Sequence, residues 1–153
     1  MIHRLAVIGE LPEHRDFVVT DGFHLPKIHP NAQIEALVTV DAGMFRRTEI
    51  GTCTWLMKKV HVGHDAIIGA YCEIAPLTSV GGEVEIGDRV KVGQGATFKP
   101  RVKVGDDAVI GMGAVVTKDV PAGQTWVGNP ARPLRKSNGQ TLAFTPNVWV
   151  GRS

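Results

Sequence analysis

Residues 60–65 read Val60-His61-Val62-Gly63-His64-Asp65, two imidazoles three residues apart with a carboxylate directly after the second. Neutral imidazole is the side chain suited to accepting a proton near pH 7. A carboxylate hydrogen-bonded to one ring nitrogen fixes the tautomer and leaves the other nitrogen to accept. Such a pair can deprotonate an attacking amine or hydroxyl. On type and position alone, His64 reads first as a solvated corner histidine, since most histidines do no chemistry. His61 reads as a polar residue on an outer face or in a subunit contact, and is a candidate substrate contact. His3, His14, His24 and His29 carry no comparable pattern and are assigned no role. Cys53 and Cys72 fit no zinc spacing and read as free thiols of a reducing compartment.

The elements that must position these residues are announced by a six-residue period. From Ile50 onward every sixth residue is large and apolar, through Leu56, Val62, Ile68, Ile74 and Val80 to Val116. Four places after each stands a small or β-branched residue, among them Thr54, Val60, Ala66, Cys72 and Val120. Gly often follows the large residue directly, as at Gly51, Gly63, Gly69 and Gly81. An earlier block keeps the grammar, pairing Ile28 with Ala32, Ile34 with Val38 and Val40 with Met44. Between the blocks the phase slips by four residues, Arg46-Arg47-Thr48-Glu49, which reads as a bulge or small loop at one corner.

A period of six smears apolar residues around a helix, so helix is excluded. The i+4 residue and the next large one are two apart and face the same side of a short strand. The residues between them turn a corner, where Gly accepts the positive φ a tight turn needs. Three straight sides close one coil in 18 residues, and fifteen hexads make five coils, a prism on the order of 24 Å long at the strand spacing. In this register His64 is the third residue of its hexad, at a corner. Gly82 and Lys118 continue its stack one and three coils along.

Composition fits a narrow core. The 153 residues are 43% hydrophobic but only 6% aromatic, so Val, Ile and Ala must fill the interior of a single domain. A net charge of +2 offers no general attraction to nucleic acid. No apolar run approaches the roughly twenty residues of a membrane span, and Leu5 to Ile8 is too short for a secretory core segment. A soluble, cytoplasmic protein is the expectation.

The hexads from Ile28 to Val116, the tail Val116-Thr117-Lys118-Asp119-Val120-Pro121, and Val127-Gly128-Asn129-Pro130-Ala131-Arg132 together resemble the hexapeptide-repeat acyltransferases. That resemblance implies an all-β fold, a left-handed parallel β-helix assembled as a homotrimer with active sites between subunits. The helix is expected over residues 28–120, with an N-terminal extension 1–27 and a C-terminal segment 121–153. Within the extensions, Leu5 to Gly9 reads as a strand, and 137–153 as a hairpin or extended arm around Pro146-Asn147.

His-x-x-His-Asp with Ile-Gly one hexad on is similar to the active-site coil of UDP-amino-sugar N-acetyltransferases, sialic-acid O-acetyltransferases and lipid A acyltransferases. The similarity implies His64 as general base, Asp65 as its orienting carboxylate and acetyl-CoA as acyl donor. It also implies an amino group of a sugar or nucleotide-sugar as acceptor, and no metal. Gly82, lacking a side chain, would let a thioester approach its backbone N–H, though a corner glycine also has a conformational explanation. Lys118, Arg132 and Arg135 are the candidate anchors for the phosphates of CoA, against the ordinary fate of exposed cations, which is solvation. Trp126 either stacks on the adenine or plugs the final coil, and the plug is expected.

O-acylation and an acyl-carrier-protein donor remain alternatives. A γ-class carbonic anhydrase is the rival on the same prism; its second histidine would fall at Gly69, leaving too few zinc ligands. A non-catalytic structural trimer is the rival without chemistry.

Overall fold

The computed structural model describes residues 1–11, 22–135 and 139–141. Three parallel sheets form the faces of a left-handed β-helix. The first sheet stacks β1 (Val7–Glu10), β4 (Thr39–Asp41), β7 (His61–Val62), β10 (Ser79–Val80), β13 (Thr97–Phe98) and β16 (Val115–Val116). The second stacks β2 (Lys27–Ile28), β5 (Glu49–Ile50), β8 (Ile67–Ile68), β11 (Glu85–Ile86) and β14 (Lys103–Val104). The third stacks β3 (Gln33–Ile34), β6 (Trp55–Leu56), β9 (Glu73–Ile74), β12 (Lys91–Val92), β15 (Val109–Ile110) and β17 (Thr125–Val127). Onto that last strand folds the antiparallel β18 (Arg132–Pro133).

The five hexad coils stand as read, and each end adds part of another. At the N-terminus β1 pairs in parallel with β4, slightly beyond the span anticipated for it, and Ile2 bridges Ile34. At the other end Trp126 pairs with Ile110 and is buried in the core, so it plugs the last winding. The arm anticipated around Pro146-Asn147 lies outside the described residues.

The core is as narrow as the composition requires. Ile34, Ile50, Leu56, Ile68, Ile74 and Val80 point inward from the strands, and Val38, Val60, Ala66, Cys72 and Val84 fill the corners behind them. Two phase breaks differ from the reading. Met44 is not an interior residue; Thr48, fully buried two places before Ile50, takes the slot because the chain loops through 42–48 before the period resumes. Val120 bridges Val104 and so occupies a strand position, the last corner being cut short.

The glycines after the large residues serve a different purpose from the one anticipated. The positive φ falls two residues later, at Cys53, Lys59, Asp65, Tyr71, Leu77, Glu83, Arg89, Arg101 and Asp107, all with φ between 55° and 69°. None of these is β-branched, the class that tolerates this region least. Gly51 and its equivalents are needed because windings approach closely there: a Cβ on Gly51 would lie 2.6 Å from Ala70 N and closer still to Gly69. Gly51→Ala is therefore expected to cost about 1–3 kcal/mol through backbone displacement. Tyr71→Gly, which exchanges left-handed strain for backbone entropy at an exposed corner, should stay within about 1 kcal/mol of wild type. Urea unfolding of the two variants checks the contrast.

The two thiols are free, Cys53 exposed and Cys72 buried. Burial pushes the Cys72 thiol up to about 11. A thiol-specific reagent should thus titrate one cysteine rapidly in the native protein and the second only after denaturation, and rapid loss of both would contradict this packing.

Candidate active site

Strand register decides which corner residues meet. Val62, Val80, Phe98 and Val116 are successive partners on the first sheet. The residues two places beyond them, His64, Gly82, Pro100 and Lys118, therefore form one column along one edge of the prism. A Cβ placed on Gly82 would lie 2.6 Å from His64 Nε2 and 2.8 Å from its Cε1, so the imidazole packs directly against the Gly82 backbone. Any side chain at 82 would displace the ring.

His64 Nδ1 lies 2.8 Å from Asp65 Oδ2. The carboxylate is 1% exposed and the ring 16%. Burial alone would push the Asp65 carboxyl up. The N–H of Arg46, the His64 ring and the N–H groups of Phe45 and Met44 outweigh it and hold the group below its ordinary value. Asp65 Oδ1 accepts from Phe45 N–H at 2.8 Å and from Arg46 N–H at 2.7 Å, while Asp65 N–H donates to Thr48 Oγ1 at 3.0 Å. An ionised carboxylate only accepts, so Nδ1 carries the ring proton and Nε2 is the acceptor nitrogen of the neutral ring.

His64, Gly63 and Gly82 line a cavity of about 550 Å³ together with Glu10, Thr39, Asp41, His61 and Pro100. His61 Nδ1 lies 2.9 Å from Thr39 Oγ1, and its Nε2 is 4.0 Å from Asp41 Oδ2. His61 thus faces the same space as His64, from the strand β7 that leads into the His64 corner. Gly82 also lines it. Glu83 N–H donates to the His64 carbonyl at 2.8 Å, whereas no acceptor among the described residues takes the Gly82 N–H. Gly63 keeps the approach to that N–H open: a Cβ there would lie 2.8 Å from Gly82 N.

The cations divide. Lys118 stands exposed in the His64 column, three windings and about 14 Å along at the strand spacing. Arg132 lies in β18 opposite Val127 and donates from Nη1 to the Ala131 carbonyl at 2.8 Å, and Arg135 bridges Thr141. The two arginines are therefore on the terminal strand and tail of the third sheet rather than in the column. Among the described residues no three His, Cys, Asp or Glu side chains gather closely enough to hold a metal ion. No helix among them is long and apolar enough to cross a membrane.

Sequence reasoning did not single out Glu10, Thr39, Asp41, Pro100, Phe45, Arg46 or Thr48. Pro100 was within its reach, being one hexad coil beyond Gly82. Thr39 stacks on His61 only when the phase slip is crossed. Asp41 and the 42–48 contacts had no periodic signal.

A parallel β-helix of six-residue repeats, with a His–Asp pair at the mouth of a corner cavity, defines a hexapeptide-repeat protein. The comparisons agree on that class. A family model described as bacterial transferase hexapeptide (six repeats) matches residues 47–82 and 83–118. The UDP-3-O-acylglucosamine N-acyltransferase of Caulobacter sp. (strain K31) is 37% identical over 156 residues, covering 99% of this chain and 44% of that protein. The UDP-N-acetylglucosamine O-acyltransferase of Moraxella catarrhalis has a similar structure, with a TM-score of 0.83 at 27% identity over 88% of this chain and 52% of that one. A mutant of perosamine N-acetyltransferase from Caulobacter crescentus, in complex with CoA and GDP-perosamine, gives 0.66 at 26% identity over 86% and 54%. The chain spans about half the length of these relatives or less. It belongs to the hexapeptide-repeat family.

Because the folded chain holds the Asp65 carboxyl below its ordinary value, ionised Asp65 adds stability above the unfolded value near 4, and that stability fades as pH falls through it toward the lower folded value. Asp65→Asn should be less stable than wild type at neutral pH, with the difference shrinking in acid. Urea unfolding at neutral pH and near pH 3 measures it; a difference that stays constant would contradict the ionised, clamped carboxylate.

Proposed function

We propose that this cavity is an acyl-transfer site in which an acyl-CoA, acetyl-CoA foremost, donates to an amino group of a sugar or nucleotide-sugar. The observation that carries the reading is the alignment of the His64–Asp65 pair with the Gly82 backbone inside one cavity. The acceptor nitrogen attacks the thioester carbonyl as His64 Nε2 takes its proton, and Asp65 stabilises the imidazolium that results. The Gly82 N–H holds the oxyanion of the tetrahedral intermediate. Collapse of that intermediate breaks the carbon–sulfur bond, and the imidazolium returns the proton to the thiolate, leaving CoA-SH and the amide.

His61, held by Thr39 at the cavity wall, contacts the acceptor. Lys118, in line with the reacting groups, anchors the cofactor's phosphates, with Arg132 and Arg135 assigned to the same anion from the terminal strand. Three copies are proposed to assemble as a homotrimer, neighbouring subunits closing the site, as the family resemblance implies. The neighbour crystallised with CoA and GDP-perosamine supports both the donor and the nucleotide-sugar acceptor. The names of the other relatives, an acylglucosamine N-acyltransferase and an O-acyltransferase, say acyl rather than acetyl and so support a second reading, O-acylation or transfer of another acyl group, for which CoA or an acyl carrier protein would be the donor.

Thermal shift with CoA and acetyl-CoA tests donor binding, since a ligand at a hundred times its Kd adds about 2.7 kcal/mol of stability. Thiol release across amino sugars and their nucleotides should then fall about 100-fold or more in His64→Ala. A variant with full turnover removes His64 from the mechanism, and turnover with long-chain donors alone selects the second reading.

A further inference from the structure

The left-handed corner residues are a set, and one member departs from it. Asn31, Leu37, Cys53, Lys59, Tyr71, Leu77, Arg89 and Arg101 share the Asp65 backbone conformation and are all exposed; Glu83 and Asp107 are half-buried. Among the described corner residues of this kind only Asp65 is buried. Burying a carboxylate is unfavourable unless every lone pair is met. Elsewhere in the helix a corner gives an aspartate a single backbone donor, as Ala70 N–H gives Asp88 Oδ1 at 2.8 Å and Asp88 N–H gives Asp106 Oδ1 at 2.9 Å, whereas Asp65 Oδ1 receives two.

The donors come from the segment where the period breaks. Between Asp41 and Glu49 the chain leaves the coil and folds over the Asp65 corner, bringing the Phe45 and Arg46 N–H groups to Oδ1. Three further contacts hold the loop in that pose. Gly43 exchanges two backbone hydrogen bonds with His24, each 2.8 Å. A Cβ on Gly43 would collide with the Arg46 carbonyl, so the loop doubles back only with glycine there. The Arg46 guanidinium then donates from Nε to the Asp65 carbonyl at 2.8 Å and from Nη1 to Glu85 Oε1 at 2.9 Å, on the next winding. Glu85 is anchored in turn by Lys103 at 3.1 Å.

We infer that the 42–48 insertion is a carboxylate clamp and Arg46 its positioning residue: by fastening the loop to Asp65 and Glu85, it fixes the carboxylate that holds the His64 ring in its Nδ1–H form. Arg46 touches no reacting atom in this arrangement. It lines a second cavity with Asp65, Glu83, Glu85, Arg101 and Lys103, and not the cavity that His64 lines. The inference rests on the acyl-transfer reading for its purpose, but not for its measurement.

The test needs no substrate. Ring-nitrogen NMR of isotope-labelled histidine reports the His64 tautomer, and carboxyl-carbon NMR reports the titration of Asp65. In wild type the two His64 nitrogens should give well-separated signals, Nδ1 protonated and Nε2 bare. In Arg46→Gln, with circular dichroism unchanged, those signals should converge as tautomers mix, and the Asp65 midpoint should rise. Arg101→Gln removes a cation from the same side of the coil and should move neither. Should Arg46→Gln fail to fold, Glu85→Gln releases the outer end of the guanidinium and should give the same changes in smaller degree. A folded Arg46 or Glu85 variant with wild-type ring signals and an unmoved Asp65 midpoint overturns the clamp, as does an equal change in Arg101→Gln. Failure of the acyl-transfer reading shows separately, as full turnover in His64→Ala or no response to donors.

Discussion

Each winding of this chain gives its backbone N–H groups to the carbonyls of the next: His61 to Thr78, Ser79 to Ala96, Thr97 to Ala114, all within 2.9 Å. That ladder leaves the chain almost no freedom of register. A slip of one residue would turn every inward Val and Ile to solvent, and a slip between windings would break the close approach for which Gly51 and Gly69 are bare. The rigidity is what makes a column of single residues meaningful. His64, Gly82 and Lys118, far apart in sequence, share an edge because the ladder permits no other arrangement.

The candidate site lies where this regularity can spare a position. The left-handed residue at each corner points outward and contributes little to the core, and most of these residues are exposed. The charges on adjacent windings pair across the stack, Glu73 with Lys91, Glu83 with Arg101 and Arg89 with Asp107. These are exposed pairs of small individual worth. Asp65 is different in kind. It is ionised, buried and held by backbone donors, an arrangement that offers an orienting carboxylate for His64 rather than a contribution to the coil's stacking.

The two phase breaks show how a repeat acquires a site without losing its frame. Four extra residues at 42–48 wrap the Asp65 corner and then return the chain to period at Thr48, whose hydroxyl accepts the Asp65 N–H. The shortened corner before Val120 brings the chain to its terminal strand early, so that Trp126 closes the core over Ile110. At the other end β1 adds a strand to the first sheet and so carries Glu10 into the wall of the cavity.

Period six, inward and outward faces, corner positions and the His64–Gly82–Lys118 column were all legible in the residues themselves. They follow from a repeating unit whose every copy meets the same neighbours at the same offset. The positive φ was legible only as a need for some residue at each corner; assigning it to the glycines missed that non-glycine residues bear it and that glycine is spent on contact between windings. The clamp on Asp65, the cavity walls at Glu10 and Asp41 and the placement of Arg132 on the terminal strand came from tertiary structure alone. Each arises where the period breaks or ends, and there local pattern no longer determines the path: position is decided by which distant groups can satisfy a buried charge or an open strand edge.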